Sequence, residues 1–207
     1  MKEINNVNIR NVSILGIIIC CIYFIVVITF VITSSINWLI IFDIVTMVSG
    51  IYFVFLILVL PYTNNINYKI IAIVFVSALM IFTNIAHIVN INSIRNIKEG
   101  INIPEYLKIG NNLSYVTIIE YLGWGIFLGL AFLFSSFGIA NKQELKYIKL
   151  TLFVNSCLCI FGFFGWVIIN ENLWYIASLG YGFGTLVLCI ELLIYEKRCK
   201  KADFYIA

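Results

Sequence analysis

Ser13-Ile14-Leu15-Gly16-Ile17-Ile18-Ile19-Cys20-Cys21-Ile22-Tyr23-Phe24-Ile25-Val26-Val27-Ile28-Thr29-Phe30-Val31-Ile32 is a run of twenty residues without a charge. At about 1.5 Å per helical residue, a run of about 20 matches the roughly 30 Å hydrocarbon core of a bilayer. Lys2 and Arg10 precede it, as basic residues precede a signal sequence. The apolar stretch is longer than the about 7–15 residues of a signal core, however, and no convincing small-x-small cleavage site follows. It reads as a retained first membrane helix.

Working outward, the same pattern recurs five times. Apolar runs cover residues 38–60, which contains Asp43 and is closed by Pro61, and 70–91, which carries Asn84, His87 and Asn90. Residues 116–140 contain Glu120, 150–169 are uncharged, and 173–195 contain Glu191. With 13–32 these predict an all-α, polytopic membrane helix bundle of six transmembrane helices in a single integral membrane domain, 1–207. The composition agrees: 62% of residues are hydrophobic, 11% are charged and mean hydropathy is +1.04. Soluble domains carry about 25% charged residues, and a chain this short could not hide so much apolar surface from water. The bilayer is the first expected partner.

Lysine and arginine set the expected orientation, because cytoplasmic loops collect them. With the N-terminus inside, Lys2, Arg10, Lys69, Lys142, Lys146, Lys149, Lys197, Arg198, Lys200 and Lys201 share the cytoplasmic side, against Arg95, Lys98 and Lys108 outside. Ten against three predicts both termini in the cytoplasm, in a multi-pass protein of the cell membrane. The outer loop, 92–114, reads as two short amphipathic pieces: Ile94, Ile97 and Ile101 on the first, and a second opened by Pro104 and ended by Gly110. Asn112-Leu113-Ser114 is a glycosylation sequon, relevant only in a eukaryotic secretory pathway, whereas the Ile/Asn-rich composition points to an AT-rich bacterium.

Ionisable groups inside spanning helices are costly, roughly 2.5–3.5 kcal/mol at mid-bilayer, and mark function by default. Counting inward from the expected outer ends puts Asp43, His87 and Glu120 at nearly one depth on three helices. Thr83, Asn84, His87 and Asn90 form a stripe at spacings of three and four, and Trp124 lies one turn beyond Glu120. Asp43, His87, Glu120, Asn84, Asn90 and Trp124 are therefore the candidate substrate- or proton-binding residues. Imidazole trades protons with carboxylates near neutral pH. The bland alternative is carboxylates reaching water near the headgroups and a histidine hydrogen-bonded to a neighbouring helix. Glu191 is expected to be an interfacial charge near Lys197 and Arg198.

No catalytic residue, cofactor or metal site is expected. The single histidine excludes bis-histidine haem ligation within the chain, and there is no C-x-x-C, G-x-S-x-G, H-E-x-x-H or P-loop. The six cysteines read as small buried hydrophobes. Basic residues scattered singly at helix ends argue against nucleic acid. Gly125/Gly129 and Gly180/Gly184 are G-x-x-x-G pairs, and Gly162 and Gly165 are three apart, so glycine-lined faces are expected to bring helices close within the chain or in a homo- or hetero-oligomer. Trp38, Tyr115, Trp174 and Tyr175 are expected in an outer aromatic belt.

The stretch Glu120-Tyr121-Leu122-Gly123-Trp124-Gly125-Ile126-Phe127-Leu128-Gly129-Leu130-Ala131 resembles one found in small bacterial multi-span membrane proteins of unknown function. The resemblance covers the fourth helix and implies a bacterial inner-membrane protein, with Glu120 and Trp124 as a unit and no activity to carry over. The expected function is handling of a small-molecule or ion ligand, with proton coupling, at a polar site opening toward the outer face. The alternatives are a non-enzymatic assembly, immunity or sensor subunit, and an intramembrane enzyme acting on a lipid.

Overall fold

The computed structural model describes residues 2–63, 66–108, 114–168 and 170–204. Among them, six helices are long and apolar enough to cross a membrane. We number them α1 (Lys2–Thr33), α2 (Ile36–Val59), α3 (Ile66–Lys98), α4 (Tyr115–Gly138), α5 (Lys146–Ile168) and α6 (Trp174–Cys199). The chain is a multi-pass, all-helical membrane protein. Each helix packs against the next, and α6 packs back against α1, which closes a ring.

The distribution of polarity is that of a lipid-solvated bundle. Large apolar side chains such as Ile25, Val31, Ile70, Phe161 and Ile168 are exposed on its flanks. Asp43, His87, Thr83, Ser135 and Asn155 are buried inside. In lipid only the interior offers polar partners, so the polar groups gather there, beside an apolar core that includes Leu56, Leu79, Leu128 and Phe132. Phe53 sits near the centre, edge-on to Trp124 at 5.7 Å and to Phe132 at 5.9 Å between ring centroids.

Helix ends differ from the sequence expectation where no breaker stands. α1 begins at Lys2 rather than near residue 13, and helical structure continues past the α6 span through the basic tail to Phe204. α3 continues to Lys98, and Gly100, at φ 77°, marks the turn beyond its end. The first of the two expected amphipathic pieces is therefore the last turns of α3, and the second is a single 3-10 turn, Glu105–Leu107, after Pro104. Gly110 and Asn112, on which the end of that piece and the sequon depend, lie outside the described residues. The α1–α2 connection is short: Ser34 takes a left-handed φ of 48° and its N–H donates to Phe30 O at 2.8 Å.

Two aromatic and charged positions are corrected as well. Trp174 is buried rather than in a belt, stacked on Tyr121 at 3.7 Å and 6°, while Tyr115 and Tyr175 are exposed. Glu191 is half-buried and accepts from Thr151 Oγ1 at 3.0 Å, a partner inside the bundle rather than a basic residue at its end.

Ser114 starts α4. Its hydroxyl accepts from Val116 N at 3.2 Å and donates to Tyr106 O at 3.0 Å, capping the helix and tying down the 3-10 turn together. Ser114→Ala is expected to lower unfolding stability by about 1 kcal/mol, the usual value of an N-cap. Melting in detergent checks it; an unchanged midpoint would mean that the cap is dispensable.

Candidate functional site

Asp43 on α2 meets His87 and Asn90 on α3. Residues three apart on a helix share a face, so one face of α3 presents both groups. His87 Nδ1 lies 2.7 Å from Asp43 Oδ1, and Asn90 Nδ2 donates to Asp43 Oδ2 at 2.8 Å. Both carboxylate oxygens are thus engaged from the neighbouring helix. The second ring nitrogen faces α4: His87 Nε2 is 3.3 Å from Glu120 Oε1, within ion-pair reach but off the line of a hydrogen bond. One imidazole bridges two carboxylates across three consecutive helices.

Exposure separates the members. The Asp43 and His87 side chains are 0% exposed and that of Glu120 is 12% exposed. The Asp43–His87 pair is sealed, and Glu120 is the one member of the trio with any exposure. Phe42 places its ring at 73° to His87, with 6.0 Å between centroids, and Tyr23 packs on Phe42 in turn.

Small residues let the three helices close. A Cβ on Gly50 would meet Met80 Cα and the Thr83 side chain at 3.7 Å, and one on Gly123 would come within 3.4 Å of Thr83 Oγ1. Gly50 on α2 and Gly123 on α4 therefore flank Thr83, one turn before His87 on α3. Thr83 is fully buried and its hydroxyl has no hydrogen-bond partner among the described residues.

Two π-helical segments interrupt the helices nearby, Leu122–Phe127 in α4 and Leu179–Phe183 in α6. Their sequences, Leu-Gly-Trp-Gly and Leu-Gly-Tyr-Gly, place Trp124 and Tyr181 in contact, with ring centroids 4.9 Å apart. Between these rings and Tyr23, Tyr52 and Thr185 lies a cavity of about 30 Å³, room for about one water. π segments often occur at functional sites. In the sequence their glycines carry only a helix-proximity signal, and nothing marks the wider turn.

Of the six sequence candidates, Asp43, His87, Asn90 and Glu120 are brought together. Asn84 is not: its Nδ2 donates to Met80 O at 2.7 Å, on its own helix. Trp124 packs on Phe53 and Tyr181 as part of the aromatic interior. No group of three His, Cys, Asp or Glu side chains among the described residues is spaced to hold a metal.

The glycine-lined faces are filled from within the chain. Positions where a Cβ on Gly125 and Gly129 would sit are taken by Phe163 and Ile160 of α5, and those on Gly162 and Gly165 by Ala177 and Leu173. Gly184 lies against the Asn155 side chain. No protein-family model, no curated protein and no solved structure matches the chain.

Proposed function

We propose that this chain is a proton-coupled protein handling a small molecule or ion in a bacterial cytoplasmic membrane, with both termini in the cytoplasm. The observation that carries the reading is His87 set between Asp43 and Glu120. A lone pair on Nε2 and an ionised carboxylate oxygen would repel at that separation. A proton therefore belongs between them, on the ring or on Glu120. With the ring doubly protonated and both carboxylates ionised, the trio carries one net negative charge. One further proton makes it neutral.

That alternation is what coupling requires. A buried charge in lipid is costly and its neutral form is not, so loading a proton changes the energy of any rearrangement that moves the site. Glu120, the member with exposure, is the entry point. Asp43, held by Asn90, fixes the ring so that Nε2 stays beside Glu120. The orientation rests on the lysine and arginine asymmetry between the two ends.

The test uses the full chain in liposomes containing a trapped pH dye, under an imposed membrane potential, with a small-molecule cell extract as solute source. Extract-dependent proton uptake is expected, and Glu120→Gln is expected to slow it by about 100-fold, the scale of losing one positioned proton-transfer group. Equal rates in wild type, Asp43→Asn and Glu120→Gln would sink the proposal. The second reading, a subunit that moves nothing, is favoured by the sealed Asp43–His87 pair and the water-sized cavity beside Trp124. A stable partner retained in gentle detergent, with no proton uptake, is its expected result.

A further inference from the structure

Where α4 hands over to α5, at the lysine-rich end of the bundle, lies a cavity of about 580 Å³. Its lining includes Lys142, Lys146 and Lys149, the apolar side chains Phe137, Leu150 and Phe153, and no carboxylate. Among the described residues none of these lysines forms an ion pair. Lys149 Nζ instead donates to the uncharged Asn141 Oδ1 at 2.6 Å. Glu144, two residues from Lys142 and from Lys146, lines a different cavity together with Lys142, so this space holds three ammonium groups and no carboxylate, and an anion relieves their mutual repulsion.

The order of residues along α5 says which kind of anion. Lys146 and Lys149 come first, then Leu150 and Phe153 on the same side, one turn deeper into the span. Phe137 of α4, Leu150 and Phe153 are all exposed. A charged level followed by an apolar wall is the order of a phospholipid, headgroup and then acyl chain. A soluble anion would use the lysines and leave the wall empty. We propose that this cavity is a binding site for an anionic phospholipid of the adjacent leaflet, its phosphate at the three lysines and its chains along Phe137, Leu150 and Phe153. Basic pockets between membrane helices bind such headgroups through the same pairing of charge with buried chain.

The experiment is native mass spectrometry of the detergent-purified full chain, titrated with phosphatidylglycerol or with phosphatidylcholine. Phosphatidylglycerol adducts are expected to persist where phosphatidylcholine adducts do not. At about fivefold per lysine, Lys142→Gln/Lys146→Gln/Lys149→Gln is expected to weaken the adduct about 100-fold. Phe153→Ala, which keeps every charge, is expected to weaken it to a smaller degree. Neutralising Lys69, Lys197 and Arg198, at the same end, is expected to leave it intact. Equal binding by the lysine variant, or equal retention of phosphatidylcholine, would overturn the site. Displacement of the lipid by inorganic phosphate at matching concentration would overturn the lipid assignment in favour of a soluble anion.

Discussion

His87→Leu is expected to cost about 3–5 kcal/mol of stability, the range seen when one partner of a buried ion pair is removed. Leucine fills nearly the same volume, so the loss would not come from a cavity. It would come from Asp43, which is fully buried and would keep only Asn90 as a partner, and from Glu120, which would lose the group opposite it. Adding Asp43→Asn in the same chain is expected to recover much of the loss, because the uncompensated charge is then gone. Thermal unfolding of the single and double variants reads both effects. A drop below about 1 kcal/mol for His87→Leu would show that the site holds no buried charge worth pairing.

Gly162→Ala is the second large effect. A Cβ there would collide with Ala177 N, and would stand 2.7 Å from Ala177 Cβ and 2.9 Å from its Cα. These are backbone and near-backbone atoms that cannot rotate away, so α5 and α6 would have to separate. Overfilling a close-packed contact costs about 1–3 kcal/mol, and this one stands at the upper end because nothing nearby yields. Gly182→Ala is the matched control. Its Cβ would find only the Phe24 ring, at 3.8 Å, and replacing a helical glycine by alanine gains up to about 1 kcal/mol. Similar melting points for the two variants would refute this account of the α5–α6 interface.

Much of the architecture was legible because a bilayer imposes one length on every crossing. The six apolar runs could be read from that constraint alone, whereas helix ends could not. Residues 92–98 are polar enough to be a loop, yet with no proline or glycine before Gly100 the helix simply continues. The meeting of Asp43, His87 and Glu120 followed from counting depth, since equal depth on adjacent helices leaves only rotation undecided. Rotation is where Asn84 went astray. At about 100° per residue, Asn84 and Asn90 lie on opposite flanks of His87, and Asp43 of α2 meets Asn90. Asn84, on the other side, donates back to the Met80 carbonyl of its own helix. Trp174 shows the same limit: an aromatic at the start of a helix can face headgroups or neighbours, and Tyr121 offered a stacking surface.

The closed ring of helices has a consequence for how the protein comes into being. Asp43, His87 and Glu120 lie on α2, α3 and α4, three helices that follow one another along the chain, so their meeting needs no later sequence. The contact of α1 with α6 joins the first helix made to the last. During synthesis the polar trio is thus available to assemble early, shielding its charges from lipid while the ribosome is still working. The seam through Gly16, Tyr52 and Cys189 waits for the final helix to arrive. Until then the flank of α1 that α6 covers stands open to lipid.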